Sequence, residues 1–136
     1  MSDGGLSLSS ENVDSLVEHA QAELPNEACA LLGGDADTGR ATSLHPARNR
    51  LASPYRYDVD PNDLVRIVHE IEARGEALVA IFHSHPATPA VPSPSDLREA
   101  RYPVIYLIAS LAGSSAQIRA WRVTDGEAAE VPLTVE

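Results

Sequence analysis

Residues 60–85, DPNDLVRIVHEIEARGEALVAIFHSH, hold the strongest constraint on the fold of this chain. The first part has a helix signature. Asp60 is an N-cap residue, and Pro61 sits at the first helical position, where its missing N–H costs nothing. Leu64, Ile67, Val68 and Ile71 form one apolar stripe at helical period, and Gly75 closes the end. The second part, ALVAIFHSH (77–85), is a run of mostly apolar residues ended by Pro86, which predicts a buried strand. A one-sided helix leading directly into a buried strand requires a sheet with helices packed on it.

The other segments extend that frame. Val13, Leu16, Val17, Ala20 and Leu24 repeat with helical period after Ser9 or Ser10, and Pro25 stops that helix. Strands are predicted at 28–34 (ACALLGG), 40–46, 55–59 (YRYDV, tyrosines on one face), 104–110, 116–123 and 127–135. A short helix is predicted from about Pro94. The order is helix, strands, helix, strand, helix, strands. The expected fold is α/β (α+β), a mixed β-sheet flanked by helices. Residues 1–8 are expected to be a loose N-terminus and 9–136 a single domain, which suits a chain of 136 residues.

The composition narrows the function classes. The net charge is −10, from 20 acidic against 10 basic residues. Nucleic-acid binding through phosphates needs a basic face, so no nucleic-acid partner is expected. An acidic chain suits a partner with a basic surface. The single cysteine, Cys29, forbids an internal disulfide and fits a reducing, cytoplasmic setting. The N-terminal segment lacks the charged and apolar regions of a signal peptide, and no apolar run is long enough for a membrane span.

The stretch HSHPATPAVPSPSD (83–96) carries the chemistry. His83 and His85 are two apart on a predicted strand and so share a face. They are either two ligands on one Zn²⁺ or an unrelated pair, one buried and one exposed. Ser93, Pro94 and Asp96 fit a helix capping box. A helix start of that kind also holds an aspartate firmly enough to reach a metal, and four prolines stiffen the connecting loop. Two histidines and a carboxylate leave the fourth position open, the catalytic rather than the structural zinc pattern. A hydrolytic site needs a general base as well. Glu27, in PNEACALLGG, is either that base or a solvated turn residue. Cys29 is best read as a small buried hydrophobe. His19, His45 and His69 are predicted surface residues. The segment HEIEA lacks the second histidine of H-E-x-x-H, and no P-C-x-x-C, P-loop or G-x-S-x-G is present.

HSHP, six residues, Ser93, two residues and Asp96 resemble the JAMM motif of the MPN-plus (Mov34/PAD-1-like) metalloproteases, H-x-H-P-x6-S-x-x-D. PNEACALLGG resembles the upstream glutamate segment of that family, with Ala30 where glycine is frequent. The resemblance implies a cytidine deaminase-like JAB1/MPN fold and one Zn²⁺ per chain. His83, His85 and Asp96 become the zinc ligands, Glu27 the acid/base, and Ser93 the oxyanion donor. The chain passes from DLREARYP directly into VIYLIAS, without room for a long second insertion of the kind that ubiquitin-chain-specific members carry. It therefore looks most like compact bacterial members. That implies a metallopeptidase acting on the C-terminal tail of a ubiquitin-like or sulfur-carrier protein, including release of cysteine from a carrier–cysteine adduct. Two alternatives remain at this stage: a non-catalytic MPN-type scaffold and a zinc hydrolase of small amides.

Overall fold

The computed structural model describes residues 4–136. Its elements, in chain order, are β1 (Leu6–Leu8), α1 (Ser10–Ala22), β2 (Cys29–Asp35), β3 (Arg40–Ala47), α2 (Pro61–Ala73), β4 (Ala77–His85), α3 (Pro94–Glu99), β5 (Ile105–Ser110), β6 (Gln117–Thr124), β7 (Glu127–Val131) and β8 (Leu133–Val135). The strands form one mixed sheet in the order β7-β6-β5-β4-β2-β3-β1-β8. The fold class read from the sequence is the one observed.

Alternation along the central strands explains why they are apolar throughout. On β2, Ala30 and Leu32 face α1 and join Leu16, Ala20, Phe82 and Leu107 in the larger core. Cys29 and Leu31 face the other way and pack on Ile67 and Ile71 of α2. Both faces of β2 are thus buried, so no polar residue interrupts the run. β2 pairs antiparallel with β4, Cys29 opposite His83 and Ala30 opposite Phe82. β4 in turn pairs parallel with β5.

The caps follow the sequence. The Ser9 side chain accepts the Asn12 N–H, and Asp60 accepts the N–H groups of Asn62 and Asp63. Gly75 adopts φ = 76°, a conformation that disfavours side chains and turns the chain out of α2 into β4. At Gly34 an added Cβ would lie 2.0 Å from the Arg40 carbonyl oxygen, so only glycine allows β2 and β3 to close at this point.

Three expectations need correction. The N-terminus is not loose as far as residue 8: Leu6–Leu8 is a strand, parallel to β8, with Leu6 and Leu8 buried in the core. Its apolar alternation is too short to register without its distant partners. Residues 1–3 of that segment lie outside the described residues. Residues 55–59 form no strand. Only Asn49 and Val59 make an isolated bridge, Tyr55 is 81% exposed, and Tyr57 turns inward. Finally, 127–135 is two strands. Pro132 has no N–H to continue a ladder, and the chain switches there from β6 as neighbour to β1. β7 and β8 are thus adjacent in sequence but lie at opposite ends of the strand order. The sheet curls around α1 until its two edges meet at Pro132, whose carbonyl accepts the Leu6 N–H. Among the described residues, no helix is long and apolar enough to cross a membrane.

Candidate metal centre and active site

The end of β4 presents His83 and His85 on the face that carries α2. Both are buried, at 1% and 3% exposure. Asp96, in the first turn of α3, reaches back over the proline-rich loop to meet them. Its Oδ2 lies 3.0 Å from His83 Nε2 and 3.1 Å from His85 Nε2, and the two Nε2 atoms are 3.2 Å apart. The same Oδ2 accepts the Ser93 N–H at 2.9 Å, while Ser93 Oγ accepts the Asp96 N–H at 3.1 Å. Capping box and His–His–Asp cluster are therefore one device, because the cap holds the oxygen that faces the histidines.

The donor set fits a zinc ion. Tetrahedral zinc with bonds of ~2.0–2.1 Å has ligand–ligand edges of about 3.3–3.4 Å. The observed triangle is only slightly tighter than one face of that tetrahedron. His85 Nδ1 is 2.7 Å from the Pro89 carbonyl oxygen, so Nδ1–H donates there, and loss of the proton from Nε2 would leave its lone pair for a metal. Tyr57 stacks on His83, with centroids 4.3 Å apart and planes 18° apart, and fixes the ring plane.

Charge follows the same geometry. Burial pushes the His83 pKa down and keeps that ring neutral. Burial also opposes charge on His85, but the Asp96 hydrogen bond, the Pro89 carbonyl and the nearby carboxylates outweigh it and raise its pKa. Desolvation alone would raise Asp96. The hydrogen bonds from His83 and His85 overcome it and hold the carboxyl well below the usual range. Asp96 is thus an anion facing imidazole nitrogens, the state a metal ligand requires.

Glu27 lies just before β2, 4% exposed, and its Oε1 has no hydrogen-bond partner. Burial pushes its pKa up to about 8; His85 works against the rise and Asp96 adds to it. It opens onto a cleft of ≈ 620 Å³ that also reaches His85 and Ser93 and is walled by Leu24, Pro25, Pro54 and Tyr55. The structure thus brings together all five residues singled out in the sequence.

Several neighbours were not legible in advance. Ser84, between the histidines, points to the opposite face and is fully buried. Its Oγ accepts the Ala28 N–H at 2.8 Å, and its own N–H donates to the Ala28 carbonyl, tying the strand that carries His83 and His85 to the segment that carries Glu27. Period-two alternation was the available signal for it. The roles of Tyr57 and the Pro89 carbonyl had no local signal. Cys29 is buried as expected, and burial pushes its thiol up to about 12. His69 is exposed as expected. His19 and His45 are half-buried instead: His19 Nε2 is 2.9 Å from the Cys29 carbonyl oxygen, and His45 Nε2 is 2.9 Å from Ser43 Oγ.

Residues 9–124 match the family described as prokaryotic homologs of the JAB domain. The chain belongs to that family. This JAB-domain chain is 36% identical over 142 aligned residues, covering 100% of both chains, to a protein of Haloferax volcanii named desampylase. It is 32% identical over 125 residues to the CysO-cysteine peptidase of Mycobacterium tuberculosis, covering 90% of this chain and 86% of that one. The solution structure of a Desulfitobacterium hafniense protein superposes with a TM-score of 0.88 at 32% identity, covering 96% of this chain and 92% of that one.

Proposed function

We propose that this JAB-domain chain is a zinc-dependent metallopeptidase that hydrolyses an amide bond at the C-terminal tail of a small ubiquitin-like or sulfur-carrier protein. The carrying observation is the Glu27 carboxyl, with Oε1 buried and unpartnered, on a cleft that also reaches His85 of the His83–His85–Asp96 triangle. A buried carboxyl with a perturbed proton affinity at the edge of a cleft is a mark of functional sites. The names of the Haloferax and Mycobacterium relatives supply the substrate class.

His83, His85 and Asp96 would hold one Zn²⁺ per chain. Bound there, the ion would polarise the scissile carbonyl and lower the pKa of a water from ~15.7 toward ~7. Glu27 takes up the proton released by the attacking water and returns it to the leaving amine. A carboxyl whose pKa lies near 8 can do both around neutral pH. Ser93 Oγ already accepts the Asp96 N–H, which leaves its own hydrogen to donate to the developing oxyanion.

The test joins metal analysis with turnover. Purified protein should carry one zinc per chain and cleave at least one member of a panel of tailed carrier proteins in peptide or isopeptide linkage. Glu27→Gln should keep the zinc and lose turnover. Wild-type cleavage by Glu27→Gln would refute the assignment of the base.

A further inference from the structure

The loop from residue 48 to 59 passes over the site, and one side chain organises it. Asn49 uses its whole hydrogen-bonding capacity. Nδ2 donates to the Glu27 carbonyl at 3.1 Å and to the Arg56 carbonyl at 3.0 Å. Oδ1 accepts the Leu51 N–H at 3.1 Å and the Asp58 N–H at 3.0 Å. Two carbonyls on one side and two N–H groups on the other fix the orientation of the amide. The loop returns the contact at its middle, where the Ser53 carbonyl accepts the Glu27 N–H at 2.8 Å. The main chain of Glu27 is therefore gripped on both sides by one loop, and the same loop carries Tyr57 onto His83 and Pro54 and Tyr55 to the cleft wall.

Glu27 has no side-chain partner at Oε1 to aim it. Its direction is inherited from its backbone. We propose that Asn49 is a positioning residue for the reaction: through its Nδ2 bonds it holds the main chain of Glu27 and closes the 49–58 loop, so that the Glu27 carboxyl stands ready over the cleft. The inference rests on the reading of Glu27 as the acid/base. This half-buried amide is isosteric with aspartate but not replaceable by it. Asn49→Asp keeps both acceptor contacts and loses both donors, placing an oxygen against two carbonyls.

The test compares Asn49→Asp, Asn49→Ala and Arg50→Ala with the wild type in zinc-loaded and metal-free protein. Arg50→Ala removes the Arg50–Asp58 ion pair from the same loop without touching Glu27. Both Asn49 variants are expected to keep one zinc per chain and lose about 10²-fold in kcat, the scale for an ångström misplacement of a catalytic group, with KM within about twofold. Arg50→Ala is expected to match the wild type. Hydrogen–deuterium exchange of the peptide covering residues 24–30 is expected to rise in the Asn49 variants, with or without zinc, and to stay unchanged in Arg50→Ala. Unchanged exchange at 24–30, wild-type kcat in Asn49→Asp, or an equal loss in Arg50→Ala would each overturn the proposal. Failure of the acid/base reading is distinguishable: Glu27→Gln would then retain turnover, whatever the Asn49 variants do. The exchange comparison decides the clamp even without a cleavable tail.

Discussion

Replacing Ser84 with alanine tests whether the ligand strand and the Glu27 segment are coupled through one hydroxyl. The Ala28 N–H points at Ser84 Oγ at 2.8 Å, and both residues are almost completely buried. Removing the oxygen leaves that N–H without a partner and without room for bulk water. An orphaned buried donor costs ~1–3 kcal/mol. Unfolding entropy is about 2.1 cal/mol/K per residue, or about 0.3 kcal/mol/K for 136 residues. The loss therefore corresponds to a fall of about 3–10 °C in Tm. Calorimetry on metal-free and zinc-loaded protein should give the same difference, because Ser84 faces away from the metal triangle. A fall under about 1 °C would mean that the Ala28 N–H finds another partner and that the tie carries no energy. A fall seen only with zinc would mean that Ser84 acts through the metal set instead.

Two further perturbations probe other parts of the molecule. Tyr57→Ala removes the ring stacked on His83 and should weaken zinc binding about 10–100-fold in a chelator competition, the usual scale for loss of a group that orients a ligand, whereas Tyr57→Phe should bind as the wild type does. Glu76 accepts hydrogen bonds from Ser43, Thr42 and Arg74, and these hold its carboxyl down at about 2. Because the folded pKa lies below the ordinary 4.5, the carboxylate stabilises the fold fully above that pH, and the gain is lost as pH falls toward 2. Urea titrations should accordingly show Glu76→Gln less stable than the wild type at pH 7, with the gap closing in acid; a pH-independent gap would refute the assignment.

The parts of the fold that were readable in the sequence are those set by short-range physics. Strand β4 runs from Ala77 to His85, as its apolar run and Pro86 indicated, and α2 starts at the proline that follows its predicted cap. That His83, His85, Ser93 and Asp96 come together was readable because strand alternation and helix capping impose fixed spacings, whereas Glu27 was picked out by its resemblance to the family's upstream segment. The misreadings concern partners outside the segment being read, save that of 127–135, where the missing N–H of Pro132 was itself a local signal. YRYDV alternates like a strand, but the groups that would have paired with a neighbour are taken by the Asn49 side chain and by a single bridge. Leu6–Leu8 becomes a strand only because β8 arrives from the other end of the chain. His45 was assigned to the surface because it precedes Pro46. Its surroundings are set by Ser43, which also donates to Glu76, and by Glu70 on α2.

The switch at Pro132 has a kinetic consequence. It brings residues 6–8 against residues 133–135 and so closes nearly the full length of the chain in one short parallel pair. Loop closure of that length is unfavourable until the intervening sheet has formed, although the cost grows only logarithmically with length. β1 and β8 are therefore expected to join last during folding and to part first during unfolding, which φ-values near zero for Leu6→Ala and Leu8→Ala would bear out. Contacts absent from the folding transition state govern the escape rate from the native state, not the rate of reaching it. The seam thus works as a latch: the site is assembled on β2 and β4 at the centre of the sheet, while the time for which the closed sheet persists is set at its rim, by Leu6, Leu8 and their partners across the curl.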